Sequence, residues 1–252
     1  LAMSQDRTCN FGFVGGALKG LVFIDLASRP TNPAAVVAFA SSYAGQHDAG
    51  AVFFTSTLFE TVDQGRTFAP LGPSFDQTLL GETVEVAKGD PDRIYVSAVR
   101  NPGSAARSVL LTSRDHGKVF EENPIALVSS QSAPYIAAVD PTNADRVYVR
   151  TGNARGEASL LLVTDDAGKS FRTIFSGKGP LAGFALSDDG KRIFVGGPKD
   201  GLSAANTTDY QWVKKTAIEI GCAPAAVAAI TWRPPSTGSA PRPDRPRPGP
   251  CA

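Results

Sequence analysis

Two sets of residues in this chain carry the letters of recognisable chemistry. The first is Gly168-Lys169-Ser170, the closing triplet of a phosphate-binding loop, preceded by "LLLVTDD", an apolar run ending in aspartates that could hold magnesium. That loop also requires a glycine five residues before the Gly-Lys pair, so that backbone N–H groups can wrap the phosphates. Position 163 is Val, a β-branched residue suited to a strand. "GKGPLA" from Gly177 is a weaker decoy, matching a relaxed dinucleotide pattern. The residues after it read as two strands and a turn, so no helix N-terminus is on offer to a pyrophosphate. The second set is Arg100, Arg150 and Arg155, which stand in polar segments together with His47 and Asp76. Converging arginines can hold a carboxylate by paired N–H bonds. Whether they converge depends on the elements that carry them.

Those elements recur. "TVDQGRTF" (Thr61 to Phe68), "SRDHGKVF" (Ser113 to Phe120) and "TDDAGKSF" (Thr164 to Phe171) share one pattern: Ser/Thr, any residue, Asp, any residue, Gly, basic, small or β-branched, Phe. The aspartates Asp63, Asp115 and Asp166 are 52 and 51 residues apart. A second marker keeps nearly the same step, "DPDRIYVS" from Asp90 and "DPTNADRVYVR" from Asp140, with a degenerate third copy, "SDDGKRIFVGG", from Ser187. Repetition at such a period is the mark of a modular architecture.

Each unit reads as four short strands, rich in Val, Ile, Tyr and Phe and bounded by Gly, Pro, Asn and Asp. No unit offers a sustained helical period. Four antiparallel strands every 50 residues or so describe the blade of a β-propeller, an all-β fold. The repeated box then has a structural task. Its Asp accepts from nearby backbone N–H groups in a tight turn, and Gly65, Gly117 and Gly168 tolerate positive φ. Phe68, Phe120 and Phe171 pack between neighbouring sheets. The basic residues Arg66, Lys118 and Lys169 point to solvent, so "GKS" is a hairpin turn.

The pattern resembles the Asp-box, or BNR repeat, and on these residues the chain is similar to the sialidase-like propeller superfamily. That group includes sialidases, sortilin-type receptors, xyloglucanase-type hydrolases and plant photosystem-assembly propellers. The resemblance covers roughly Leu21 to Val213. It implies that the boxes join third and fourth strands on the face opposite the ligand site, so it specifies the fold and not the ligand. The expected blades are 21–72, 82–122, 135–175 and 181–216, with a long loop "SSYAGQHDAG" in the first and Trp212 in place of the box aromatic in the fourth. Segments 4–16 and 218–232 are each too short for a blade. Either they close a fifth one together, or the chain is a fragment of a larger propeller.

Propeller ligands meet the loops that join second to third strands and one blade to the next. Arg100, Arg150 and Arg155 fall on or near that face, as do His47, Asp76, Glu157, Lys199 and Asp200. The resemblance implies that an active sialidase needs three converging arginines, a Tyr–Glu nucleophile pair and an acid/base Asp. The Arg-Ile-Pro signature of that family is absent, and Tyr43, Tyr95, Tyr135, Tyr148 and Tyr210 present no obvious nucleophile in sequence. Hydrolysis by two carboxylates would draw on Asp76, Glu82 or Glu85. The reading is therefore a non-catalytic propeller that binds a glycan or protein, with a glycoside hydrolase as the alternative. No cofactor or metal is called for.

Composition sets the remaining bounds. At 252 residues one propeller accounts for the chain. The net charge is +1, but the tail 233–252 holds four Arg against one Asp, which leaves 21 basic against 23 acidic residues elsewhere, a body near −2. No concentrated basic face points to nucleic acid, and no apolar run approaches a membrane span. Seven prolines in those last twenty residues predict a disordered or polyproline-like tail. Cys9, Cys222 and Cys251 are too few and scattered for a zinc site; Cys9 and Cys222 are either a disulfide of the closing blade or buried thiols. Because Asp-box propellers are commonly exported, the resemblance implies a secreted or cell-surface protein, and a monomer is expected.

Overall fold

The computed structural model describes residues 2–3, 12–13, 16–46, 52–102, 105–127, 133–152 and 158–216. After a short antiparallel pair, β1 (Ala2–Met3) with β2 (Gly12–Phe13), and one 3-10 turn at Gly16–Leu18, the described chain is all β. The first sheet contains β3 (Val22–Arg29), β4 (Asn32–Gln46), β5 (Val52–Thr61) and β6 (Ala69–Leu71). The second contains β7 (Leu79–Val86), β8 (Ile94–Arg100), β9 (Arg107–Ser113) and β10 (Glu121–Pro124). The third is β11 (Ala133–Val139), β12 (Val147–Gly152), β13 (Leu160–Thr164) and β14 (Arg172–Ser176). The fourth is β15 (Gly183–Leu186), β16 (Arg192–Gly197), β17 (Gly201–Asn206) and β18 (Val213–Thr216). Each is an antiparallel meander in chain order. The first strands β3, β7, β11 and β15 lie side by side, so the sheets are propeller blades.

The cores lie between blades. On β8, Ile94, Val96 and Ala98 point one way and Tyr95 the other, because successive side chains of a strand alternate faces. The first three join Val37, Phe39 and Leu58 of the first blade. Tyr95 joins Leu110 and, from the third blade, Ile136, Val147 and Val149. Tyr148, Leu161 and Val163 meet Leu181, Ile193 and Val195 in the same manner. Two-sided burial explains why β8 reads as an almost unbroken apolar run. Each such side chain contributes about 1.5–3 kcal/mol relative to exposure.

The box turns tie these layers together. Asp63 accepts from the Thr67 backbone N–H (3.0 Å) and hydroxyl (2.6 Å), while the Gly65 N–H donates to Thr61 Oγ1 (2.9 Å). Asp166 accepts from Ser170 N–H (2.9 Å) and hydroxyl (2.6 Å), with Gly168 N–H on Thr164 Oγ1 (2.9 Å). Asp115 accepts from the Lys118 and Val119 N–H groups. Gly65, Gly117 and Gly168 have φ of 79°, 83° and 101°. The residue before each, Gln64, His116 or Ala167, is left-handed as well, and its N–H donates to Ala34, Asp92 or Asp145 of the same blade. Phe120 and Phe171 pack into the cores between blades, and Trp212 does so in the fourth blade, at 4.8 Å from Phe175. Arg66, Lys118 and Lys169 are exposed.

Two differences from the sequence reading are local. "SSYAGQ" is strand, not loop: β4 runs on to Gln46, pairing Tyr43 with Phe54, whose rings meet edge to face at 6.3 Å between centroids on the exposed rim. The second is the shared bulge in the first strands described below. The segments expected to close a further blade (4–16, 218–232) fall almost entirely outside the described residues, as do Cys9, Cys222, Cys251 and the tail 233–252.

Candidate functional site

The first strands of three blades share one irregularity. β3 slips register between Phe23 and Asp25, β7 between Gly81 and Thr83, and β11 between Ile136 and Ala138. The extra residues are Ile24, Glu82 and Ala137. A bulge leaves one residue unpaired and re-aims its side chain, and in β7 that residue is a carboxylate. The residue after the bulge clamps the next blade: Asp25 Oδ2 accepts the Val84 N–H (3.0 Å), and Thr83 Oγ1 accepts the Ile136 N–H (2.9 Å). Adjacent first strands are thus held in register by side chains where no sheet ladder joins them.

Glu82 faces Tyr135 at the start of β11, close enough for each group to shift the other's titration. Tyr135 stands opposite Arg150 in the β11–β12 ladder, and the Arg150 guanidinium lies 4.9 Å from the ring centroid. Arg150 Nη1 also donates to the Leu181 carbonyl (3.0 Å), which fixes the guanidinium across the junction of the third and fourth blades. The ring leans over Gly152, where a Cβ would lie 2.3 Å from Tyr135 Cε2. Burial pushes the Glu82 carboxyl up, with the Tyr135 hydroxyl acting against it. Burial first, and then the Glu82 charge, raise the Tyr135 hydroxyl, while Arg150 lowers it. Tyr135 is therefore neutral at pH 7. An aromatic ring, a carboxylate and a guanidinium meet at the loop end of the first strands. They can hydrogen-bond sugar hydroxyls.

Arg100 is in a different place and a different state. It lies between the first and second blades, where its Nε donates to Glu122 Oε1 (2.9 Å) and its Nη2 to Glu122 Oε2. Its Nη1 donates to Asp76 Oδ1 (3.0 Å) and Thr78 Oγ1 (2.8 Å). Four of its five N–H groups are thereby occupied. Asp76, held low mainly by the Thr78 hydroxyl and N–H and then by Arg100, is a partner of that arginine and not an independent site. Two of the candidates, Arg100 and Asp76, are therefore brought together, but as an ion-pair network lining a cleft with Phe75 and Phe120. Arg150 belongs to the Tyr135 cluster. His47, Arg155 and Glu157 lie outside the described residues. Lys199 and Asp200 sit at the β16–β17 turn, where Asp200 accepts the Lys178 N–H.

Glu82 and Tyr135 have little prominence in the sequence. The available signal was a glutamate within the apolar alternation "LLGETVEV" and a tyrosine opening the first strand of the next unit. Their pairing spans 53 residues and is visible only once the blades pack. Among the described residues no group of three or more His, Cys, Asp or Glu could hold a metal ion, and no helix is long and apolar enough to cross a membrane.

No family model matches the sequence, and no curated protein does. Solved structures do match. A Hadza microbial sialidase superposes with a TM-score of 0.58 at 14% identity, over 84% of this chain and 50% of that one. A xyloglucanase from Xanthomonas campestris gives 0.53 at 15% identity, over 80% and 31%. The sialidase of Trypanosoma rangeli gives 0.53 at 12% identity, over 87% and 43%. This chain spans half or less of the length of these structures. With its four antiparallel four-stranded blades, it has the fold of the sialidase-like β-propellers.

Proposed function

We propose that the chain is a glycan-binding propeller that holds its ligand at the loop end of its first strands, on Tyr135, Glu82 and Arg150, without hydrolysing it. The observation that carries this reading is the Glu82–Tyr135–Arg150 cluster itself. It has the ring, the acceptor and the cation that sugar recognition uses, and it is built by strands rather than loops. The similarity of fold to sialidases and a xyloglucanase supports a glycan as the ligand class. The state of Arg100 supports binding over catalysis: its donors are occupied by Glu122, Asp76 and Thr78, which leaves Arg150 as the arginine of the cluster among the described residues. A role in glycan recognition suits an exported or surface protein, and cell fractionation checks that location.

One observation favours the alternative of a glycoside hydrolase. A tyrosine facing a glutamate is a nucleophile with a base beside it. A panel of glycans screened for binding, alongside fluorogenic glycosides including a sialoside, separates the two. Binding that is lost in Tyr135→Phe and Arg150→Ala, with no turnover by the wild type, supports the binding module. Turnover abolished by Tyr135→Phe and Glu82→Gln establishes the hydrolase. Neither binding nor turnover by folded protein rejects both.

A further inference from the structure

A second feature lies at the opposite end of the same strands. The closing residues of β7, β11 and β15 and the turns after them surround a cavity of about 300 Å³. Ala138, Leu186 and Phe184 supply apolar wall, Glu85 stands in it from β7, and Lys88 and Asp188 are at its exposed mouth. Tyr135 opens β11 while this cavity lies at its far end, so the two sites are distinct. The mechanism proposed above makes no use of Glu85.

The chemistry of the walls is selective. Glu85 is a carboxyl on a half-buried strand position, where burial disfavours its charge, and the Asp25 carboxylate on β3 disfavours it further. Asp25 is committed to the Leu26 and Val84 backbone N–H groups. The Val86 N–H acts in the other direction, favouring the Glu85 anion. A carboxyl in that state gains from a cation brought beside it. Phe184, whose ring packs 5.8 Å from that of Tyr148, lines the same cavity, and an aromatic ring there favours an ammonium over a hydrated metal ion, while the alkyl walls favour a carbon chain behind the charge.

We propose that this cavity binds an organic ammonium group on a short alkyl chain, with Glu85 as its counter-ion and Phe184 as its aromatic wall. The group can belong to a free amine or to a lysine side chain of a peptide.

The titration of Glu85 gives the proposal a signature. Burial and Asp25 push its carboxyl up to about 7. The charged groups facing it are Asp25 from β3, Lys88 from its own turn and Asp188 from the turn after β15; β11 presents Ala137, Ala138 and Val139. A bound ammonium favours the anion, so binding expels a proton at neutral pH, and affinity rises as pH passes upward through 7. Between pH 6 and pH 8 the expected gain is about tenfold, set by the fraction of Glu85 already ionised.

The experiment is calorimetric titration of the full chain with pentan-1-amine, and separately with acetyl-Gly-Lys-Gly-amide, at pH 6, 7 and 8, with pentan-1-ol as the neutral control. The expected result is saturable binding of at least one amine, tightening about tenfold across that range with proton release at pH 7. The tighter probe identifies the source of the ammonium. Glu85→Gln is expected to abolish the pH dependence and to weaken binding at pH 8 at least tenfold. Phe184→Leu, a milder change, is expected to weaken binding severalfold at every pH and to keep the slope. Affinity equal at pH 6 and 8, binding unchanged in Glu85→Gln, or pentan-1-ol binding as tightly as the amine overturns the proposal. So does the absence of saturation by either amine when near-ultraviolet circular dichroism shows native packing.

Discussion

Thr83 Oγ1 accepts the backbone N–H of Ile136 across 2.9 Å between the second and third blades. Thr83 adjoins Glu82 and Ile136 adjoins Tyr135, so this one hydrogen bond sets the separation of the two residues at the centre of the proposed glycan site. Thr83→Val keeps the shape and removes the acceptor, leaving a backbone donor unpaired between strands. It is expected to destabilise the fold by about 1–2 kcal/mol and to weaken glycan binding more than it lowers the urea midpoint. Equal binding by the folded variant would mean that the clamp does not position the pair.

The two arginines differ in what their loss does. Arg100 joins Glu122, Asp76 and Thr78 within the structure, so Arg100→Ala strands two carboxylates and is expected to lower stability by roughly 1–2 kcal/mol, with glycan affinity kept. Arg150 contacts Tyr135 and one carbonyl, and Arg150→Ala is expected to reduce affinity severalfold or more with a smaller loss of stability. Parallel urea melts and glycan titrations of both variants check this; an exchange of the two phenotypes would contradict the site assignment.

Acid should act on the box turns. The Thr67 hydroxyl and N–H, with Thr61, hold the Asp63 carboxyl at about 2, and the Ser170 hydroxyl leads the same effect on Asp166. A carboxyl lowered on folding adds stability above its unfolded value, and that stability fades as pH falls through its folded value. The window here runs from about pH 4 down to about pH 2. Urea midpoints measured at pH 5, 3 and 2 should fall steeply in wild type and less steeply in the double variant Asp63→Asn, Asp166→Asn, which starts lower.

Gly81 makes a packing prediction without chemistry. A Cβ there would lie 1.9 Å from Phe39 Cε1, and Phe39 is fully buried between the first two blades. Gly81→Ala overpacks that core and is expected to cost about 1–3 kcal/mol, read as a lower thermal midpoint. A midpoint at or above the wild-type value would show that the ring can move aside.

Much of this architecture is local and therefore legible. The box needs an acceptor at Asp63, Asp115 and Asp166, a left-handed residue at Gly65, Gly117 and Gly168 and an aromatic three positions on, and all of these lie within eight consecutive residues. The two-sided apolar run of β8 likewise reports its own burial. Extension of β4 through Tyr43 was not legible, because Ser, Ala and Gly there suit a loop as well as a rim hairpin.

The candidate site divides in the same way. Arg100 lies seven residues after Arg93 and Arg150 four after Arg146, so the sequence placed both near the loop ends of second strands but not at one repeat position. It gave no ground for preferring either. Tertiary structure decided that Arg100 faces Glu122 and Asp76 in one groove while Arg150 faces Tyr135 and Leu181 in another. It also brought Glu82 to Tyr135 and Asp25 to Glu85. The physical reason is range. Turn chemistry and strand alternation are settled by neighbours along the chain, whereas a guanidinium or a carboxyl takes its charge state and its partners from whichever blade packs beside it.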